Sequence, residues 1–176
     1  TPALASDGLV ITQNVIGDAV LANYVTNRGI EVNNANSPSI TQNTIFNIIT
    51  TASISNAAID LGVNVINGEV LRNNITGVRS TSSGGWGAYG INFSSTTGTT
   101  GVLVANNLIS DVITSNYVSS TTFNAFGIRL AGGTNIKVYN NSVNMFGTPS
   151  TGTNTGTISA SFLVATSSVT GTEVRN

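Results

Sequence analysis

Four polar residues occupy equivalent positions in four similar short segments, and together they could form a reactive site. Each follows an isoleucine; they are Glu31, Asp60, Asn92 and Arg129. If these segments are strands on adjacent turns of one structure, the carboxylates of Glu31 and Asp60 lie about 5 Å apart. Retaining glycosidases use two carboxylates at that separation as nucleophile and general acid. Two like charges so close would also keep one carboxyl group protonated near neutral pH.

The same four residues have a simpler interpretation, which we favour. A row of polar side chains on an exposed sheet would be solvated and would hold no ligand. Arg129 is two turns away from Asp60 and three from Glu31, which is too far for a direct ion pair with Glu31. We therefore treat Glu31, Asp60 and Arg129 as weak catalytic candidates. The side of the strands that carries all four is called the first-strand face below.

Aromatic residues near this face suggest a second kind of site. They lie in two segments rich in Ser, Thr and Gly, residues 79–89 and 113–126, and they are Trp86, Tyr89, Tyr117, Phe123 and Phe126. Their rings could form a platform for sugar rings beside Asn92, with Trp86 and Tyr117 as the other candidate ligand-binding residues. The alternative, which we favour, is that the rings fold back over the apolar flank. Tyr89 and Phe126 fit this role best, because each directly precedes a Gly-Ile strand.

A recurring phrase shows which elements must position these residues. It consists of an aliphatic residue, an asparagine three places on, and a second aliphatic residue two places later. Its asparagines are separated by 29, 30, 34 and 34 residues, and they are Asn14, Asn43, Asn73, Asn107 and Asn141. Repeats of this length are typical of solenoids, in which each unit buries its apolar side against its neighbours.

Period-two alternation places three strands in each repeat. The segments that carry the first-strand face point Ile30 and Val32 inward and Glu31 outward. The phrase supplies a second strand before its asparagine and a third strand after it. The third strand predicts two inward columns: Ile16, Ile45, Ile75, Ile109 and Val143, and then Ile48, Val78, Val112 and Phe146. Three strands per turn predict an all-β fold, a parallel β-helix of five to six coils.

The recurring asparagine has a structural role in such a coil. A tight corner requires left-handed or bridge backbone angles, which asparagine tolerates better than most residues. Its amide can also donate to the coil on one side and accept from the coil on the other, forming a ladder. Replacing Asn73 by leucine should therefore disturb two interfaces between coils.

Composition excludes several classes of function. Charged residues make up 7% of the chain and the net charge is −1, so no basic surface for nucleic acid is present. The absence of Cys and His removes disulfides, zinc-cysteine sites and histidine-based catalysis. We expect no metal and no cofactor. No apolar stretch approaches the 18 residues of a membrane span, so no membrane insertion is expected.

The phrase and the Gly-Ile-x-aliphatic strand before it resemble the repeat of the right-handed parallel β-helix, or pectin-lyase-like, family. The resemblance covers residues 8–176 and implies a single-stranded right-handed β-helix with an asparagine ladder at one turn. It implies little about function, because the family includes polysaccharide lyases and hydrolases, phage tailspikes, adhesins and bacterial surface proteins. The chain lacks the three clustered carboxylates of the hydrolases and the acidic calcium cage of the lyases. Its Thr-, Ser- and Asn-rich texture is most similar to large secreted bacterial surface proteins.

These observations lead to one expected function and one alternative. We expect residues 1–176 to form a single β-helix segment of a longer, extracellular or cell-surface bacterial protein, with a non-catalytic structural or adhesin-like role. Its partner would be the rest of its own chain or a capping partner, since Val174-Arg175-Asn176 resembles the start of another phrase. The alternative is a carbohydrate-binding module, or a relative of polysaccharide lyases and hydrolases, that binds polysaccharide on the first-strand face.

Overall fold

The computed structural model describes residues 6–82, 84, 86–115, 122–146 and 159–176. These residues form a parallel β-solenoid of about five turns. Along the chain, the strands are β1 Ser6–Asp7, β2 Val10–Thr12, β3 Val15–Ile16, β4 Arg28–Val32, β5 Ala35–Asn36, β6 Ser39–Thr41, β7 Thr44–Thr50, β8 Asn56–Leu61, β9 Val65–Ile66, β10 Glu69–Leu71, β11 Asn74–Ser80, β12 Ala88–Phe93, β13 Leu103–Ala105, β14 Leu108–Thr114, β15 Ala125–Leu130, β16 Lys137–Tyr139, β17 Ser142–Asn144, β18 Ala160–Val164 and β19 Glu173–Arg175.

Three long parallel sheets run along the solenoid, and each interior coil contributes one strand to each of them. Sheet 1 has the order β4-β8-β12-β15-β18 and contains the first-strand face. Sheet 2 has the order β2-β6-β10-β13-β16-β19, and sheet 3 has the order β3-β7-β11-β14-β17. A short fourth sheet, β1-β5-β9, lies between sheets 1 and 2 in the first coils. The expected all-β class and the three strands per repeat are confirmed.

The core fills the space between the three sheets with aliphatic columns. Sheet 3 supplies Ile45, Ile75 and Ile109, which are fully buried, while the end members Ile16 and Val143 are half-buried. The second inward column is confirmed for Ile48, Val78 and Val112. It is wrong for Phe146, which is exposed, because β17 ends at Asn144 and Met145 packs against the core instead.

The corner before sheet 3 corrects the expected conformation of the recurring asparagine. Left-handed φ angles of 50–58° occur at the residue before each ladder asparagine, namely Gln13, Gln42, Arg72, Asn106 and Asn140. Because this preceding residue makes the turn and faces solvent, the ladder asparagine can point its amide into the stack. The ladder asparagines themselves do not have the left-handed angle, which was one of the two conformations expected for them.

A second left-handed column sets the corner before sheet 2. Its members lie two residues before each strand of that sheet and have φ angles of 53–70°; they are Gly8, Ser37, Asn67, Gly101, Asn135 and Gly171. Gly and Asn are the residues that adopt this region at least cost. The spacing of these residues and the spacing of the ladder asparagines therefore fix the register of the coils together.

Helix is a minor component of the described part of the chain. A single 3-10 turn, Leu21–Asn23, follows β3, and the Asp18 carboxylate accepts a hydrogen bond from the Val20 N–H at 2.8 Å just before it. Hydrogen bonds from Val20 and Asn23 lower the pKa of Asp18 below its usual value. Within the described residues, no helix has both the length and the apolar character needed to cross a membrane.

Candidate functional site

Strand register in sheet 1 brings the four polar residues side by side. Glu31 pairs with Asp60, Asp60 with Asn92, and Asn92 with Arg129, one on each successive coil. Leu163 continues the row on the next strand. The repeat positions each of them through the isoleucine before it, which packs into the core and turns the following side chain outward.

Burial differs along this row and corrects the interpretation of a solvated surface. Glu31 is exposed, whereas Asp60 is 3%, Asn92 2% and Arg129 7% accessible. The side chain of Arg28 reaches Asp60 from the neighbouring coil, and the guanidinium of Arg129 lies 5.1 Å from the centre of the Tyr89 ring. Neighbouring side chains thus replace water over most of the first-strand face.

A continuous chain of hydrogen bonds links four coils across this face. Arg28 Nε donates to Asp60 Oδ2 at 2.6 Å, and Asn92 Nδ2 donates to Asp60 Oδ1 at 3.0 Å. Arg129 Nη1 then donates to Asn92 Oδ1 at 3.0 Å. Arg28 Nη1 also donates to the Ser55 carbonyl oxygen at 2.6 Å, which ties the loop before β8 to the same network. We call Arg28, Asp60, Asn92 and Arg129 the polar network.

These contacts separate the two candidate carboxylates chemically. Both Asp60 oxygens accept hydrogen bonds within the protein, so neither is directed to a substrate. The Glu31 carboxylate faces solvent and accepts a hydrogen bond from Asn33 Nδ2 at 3.1 Å. The two groups are adjacent in register but serve different partners, and they do not present a paired acid and nucleophile.

Sequence reasoning missed Arg28, which completes the network. Arg28 directly precedes Gly29, and its backbone pairs with Ala57. One sequence signal could have indicated this pair. Glu31 is the register neighbour of Asp60 on the preceding coil, and Arg28 lies three residues before Glu31. Burial also lowers the pKa of the Arg129 guanidinium, with Tyr89 and Asp60 opposing that shift.

Two of the candidate aromatic residues form part of a covering cluster. The rings of Tyr89 and Phe126 stack with centroids 6.1 Å apart and an angle of 10°, and both are buried against Ala57. The Tyr89 hydroxyl donates to the Thr122 carbonyl oxygen and lies 3.3 Å from Ser55 Oγ. Burial raises the pKa of the Tyr89 phenol. These two rings therefore lie where the interpretation of folded-back aromatic residues placed them.

The remaining aromatic candidates form a smaller, more accessible pair. Trp86 and Phe123 meet edge to face, with ring centroids 5.0 Å apart and an interplanar angle of 67°, and both are half-buried. Thr114 Oγ1 donates to the Trp86 carbonyl oxygen at 2.9 Å, which fixes the backbone at this point. Tyr117 lies outside the described residues. Trp86 is thus separated from the buried Tyr89 cluster and partly open to solvent.

The asparagine ladder is confirmed in full. Each Nδ2 donates to the Oδ1 of the next asparagine at 2.9 Å, from Asn14 through Asn43, Asn73 and Asn107 to Asn141. Each Oδ1 also accepts the backbone N–H of the preceding asparagine at 2.9–3.0 Å. The second Nδ2 hydrogen of Asn43, Asn73 and Asn107 goes to a carbonyl oxygen on the coil before. These three buried side chains are therefore fully satisfied.

Other charged residues in the described ranges make local contacts. Arg79 forms an ion pair with Asp111 on the outer side of sheet 3, and Arg175 pairs with Glu173 in β19. No group of three or more acidic side chains that could hold a metal ion converges in the part of the chain that the structure describes. Comparison with known proteins finds no matching family model, no matching curated protein and no matching solved structure. Geometry alone therefore defines the class, a parallel β-solenoid with buried asparagines.

Proposed function

We propose that this chain is a non-catalytic structural or adhesin-like segment of an extracellular or cell-surface protein of bacteria. The observation that carries the proposal is the polar network. Asp60 and Arg129, the charged residues best suited to catalysis, are buried, and their side chains form hydrogen bonds with residues on neighbouring coils. A rigid rod whose polar groups hold its coils together fits a spacer role better than a catalytic one.

The proposal includes a finer assignment of the fold and of the partner. The asparagine ladder and the three parallel sheets support a β-helix of the right-handed, pectin-lyase-like type. We further propose that the partner is the rest of a longer chain or a capping protein. Open strand edges on a solenoid favour association, and capping units normally cover them.

A cleavage assay tests the absence of catalysis. The chain is incubated with acidic and neutral polysaccharides, and new reducing ends and unsaturated products are measured. We expect the wild type to match the Glu31→Gln variant and the Asp60→Asn variant, with no product above that of a buffer control. Cleavage that is lost in either variant would contradict the proposal and favour a polysaccharide hydrolase or lyase.

The exposed part of Trp86 favours a second candidate function, carbohydrate binding. Its ring is half-buried and braced edge to face by Phe123, an arrangement that can hold a flat apolar surface toward a sugar ring. A glycan array compares the wild type with Trp86→Ala, and Phe46→Ala, on the outer side of sheet 3, serves as a matched control. Binding that only Trp86→Ala abolishes would support this function. Binding that survives in both variants would place the glycan elsewhere.

A further inference from the structure

The corner between β9 and β10 contains the one Asn-Gly pair of the sequence, Asn67-Gly68. Asn67 belongs to the second left-handed column, with a φ angle of 53°, and its side chain is exposed. A Cβ atom placed on Gly101, the equivalent residue of the next coil, would lie 2.7 Å from Asn67 Oδ1, so the amide rests against that coil. The amide makes no hydrogen bond with any residue that the structure describes. Solvent therefore reaches the side-chain amide of Asn67.

Packing explains why a glycine follows Asn67. Pro38 is the register neighbour of Gly68 on the preceding coil, since Ser39 pairs with Glu69. A Cβ atom on Gly68 would lie 3.0 Å from Pro38 Cγ, which is closer than most side-chain contacts in proteins. Asparagine and glycine adopt the left-handed turn at position 67 at least cost, while the contact with Pro38 favours glycine at position 68. The geometry of this corner therefore favours an asparagine directly before a glycine.

The backbone nitrogen of Gly68 is available as a nucleophile. Its N–H finds no acceptor among the described residues, whereas both neighbouring N–H groups are bonded. Asn67 N–H donates to the Thr100 carbonyl oxygen at 2.9 Å, and Glu69 N–H donates to the Pro38 carbonyl oxygen at 2.8 Å. Loss of the Gly68 N–H proton therefore breaks no hydrogen bond, and no Cβ atom shields the nitrogen. A nitrogen in this position can close a five-membered ring onto the Cγ atom of the preceding asparagine.

We propose that Asn67 is a site of spontaneous covalent modification in the folded chain, with hydroxide and water as the co-reactants. Hydroxide takes the Gly68 N–H proton, and the nitrogen forms a bond to Asn67 Cγ. The bond from Cγ to Nδ2 breaks, and ammonia leaves with a proton from water, which regenerates hydroxide. Water then adds to one of the two carbonyl carbons of the resulting succinimide. Opening at Cγ gives aspartate, and opening at the backbone carbonyl carbon gives isoaspartate.

The two products affect the corner differently. Aspartate keeps the length of the backbone and tolerates the left-handed angle, as Asp111 does with a φ angle of 52°. Isoaspartate routes the main chain through the side chain and lengthens it by one carbon atom. In the unmodified corner, Ser37 N–H donates to the Ile66 carbonyl oxygen at 2.7 Å, and Leu103 N–H donates to the Gly68 carbonyl oxygen at 2.9 Å. Because the extra atom displaces these partners, isoaspartate weakens the contacts of this corner with both neighbouring coils.

The chain contains a matched internal control at Asn135. This residue belongs to the same left-handed column, has the same φ angle of 53° and is also exposed. A Cβ atom on Gly171 would lie 2.3 Å from Asn135 Oδ1, so this amide also rests against the next coil. The following residue is Ile136, which is fully buried and whose branched side chain shields its backbone nitrogen. Comparison of the two sites therefore isolates the effect of the glycine.

Peptide mapping by mass spectrometry tests the site on the wild-type chain. The folded chain is incubated in mildly alkaline buffer, and fragment spectra assign each gain of one mass unit to a residue. We expect Asn67 to convert at least about tenfold faster than Asn135, because glycine leaves the attacking nitrogen unshielded. Enzymatic methylation of isoaspartate should label the same peptide. Equal conversion at the two asparagines, or conversion of Asn67 in denaturant alone, would overturn the proposal.

The variant Asn67→Gly separates the modification from other changes during incubation. Glycine keeps the left-handed turn, as Gly101 does in the next coil, and it removes the amide. In the isoaspartate fraction of the wild type, we expect the Glu69 and Leu103 amides to exchange at least about tenfold faster than before incubation. The variant should show no such change after the same treatment. Equal loss of protection in the variant, or full protection in the isoaspartate fraction, would contradict the proposed effect on the corner.

This site is independent of the structural role proposed above. Conversion of Asn67 is measured by mass, and polysaccharide cleavage is measured by its products. Absence of conversion would therefore leave the structural role standing, and detection of cleavage would leave the modification site standing.

Discussion

The buried asparagines of the ladder need more hydrogen bonds than other core residues, because a buried side-chain amide must have a partner for each of its polar groups. Asn43, Asn73 and Asn107 meet this requirement. The Nδ2 of each donates one hydrogen to the Oδ1 of the next asparagine and the other to a carbonyl oxygen on the coil before, and the Oδ1 of each accepts from the preceding asparagine. Removing one such side chain leaves donors on the coil before it without an acceptor and removes one donor to the Oδ1 of the next asparagine. The hydrogen bonds of the ladder therefore connect neighbouring coils inside the solenoid.

Asn73→Leu should destabilise the fold strongly. It leaves Asn43 N–H and one Nδ2 hydrogen of Asn43 without an acceptor in buried positions and removes one of the two donors to Asn107 Oδ1, with an expected loss of about 3–5 kcal/mol in the free energy of unfolding. Asn14→Leu, at the exposed end of the ladder, is the control and should cost about 1 kcal/mol or less. Urea denaturation measures both. Similar losses for the two variants would show that position in the ladder does not matter.

The buried phenol of Tyr89 predicts a specific loss of stability in alkali. Burial raises the pKa of Tyr89 in the folded state, while the unfolded chain ionises near the ordinary value of about 10. Stability from a raised pKa is complete below the unfolded value and is lost as pH rises through the folded value. The melting temperature should therefore fall more steeply above about pH 10 in the wild type than in Tyr89→Phe. Parallel curves would contradict the assignment.

At the scale of elements, alternation and repetition predicted most of the fold. The segments that carry the first-strand face form strands of sheet 1, and β18, which contains Phe162, pairs with β15 in the same sheet. The corners were harder, because left-handed angles depend on the backbone and are shared by Gln, Arg, Asn and Gly. The sequence pattern drew attention to the inward asparagine, while the turn is made by the exposed residue before it.

The candidate site was predicted only in part: the order of its residues along sheet 1 was predicted, and their burial was not. Register correctly placed Glu31, Asp60, Asn92 and Arg129 side by side, since a fixed repeat determines which residues are neighbours. Burial of three of them depends on side chains such as Arg28 and Tyr89, which share one register position of sheet 1 where the residue type varies from coil to coil. The repeat places that position beside the row, but it does not specify which side chain will cover the row.

The left-handed corners predict a paired result at Asn106. Its side chain is exposed and its φ is 57°, so substitution tests the backbone angle with little loss of packing. Asn106→Val should lower the free energy of unfolding by about 1–2 kcal/mol, because a branched Cβ is crowded in this region. Asn106→Gly should be close to neutral, because glycine adopts positive φ freely. A valine variant as stable as the glycine variant in urea would contradict the corner geometry.

At the scale of the whole molecule, each coil is stabilised mainly by the coil on either side. The interior strands β7, β11 and β14 have neighbours on both edges, whereas β3 and β17 have one. Exposed apolar residues also concentrate at the ends, with Val10, Val15, Val20 and Leu21 near the first coil and Phe146, Val164 and Val174 near the last. Stability should therefore vary along the axis as in other repeat proteins.

Native-state hydrogen exchange should reveal this gradient. We expect the amides of β11 to exchange slowest and those of β3 at least tenfold faster, since end coils can open without the rest of the stack. The measurement needs only the wild-type chain and residue-resolved exchange rates. Uniform protection from β3 to β17 would indicate a single cooperative unit and would contradict a stack stabilised by nearest neighbours.

The central claim is that the polar network holds coils together, and a double-mutant cycle on Arg28 and Asp60 tests it most directly. The free energies of unfolding of Arg28→Met, Asp60→Asn and the double variant are compared with the wild type, with Glu31→Gln as the exposed control. We expect a coupling of about 1–3 kcal/mol between the two sites and little change in the free energy of unfolding for Glu31→Gln. Additive effects, with a coupling within about 0.3 kcal/mol of zero, would contradict it.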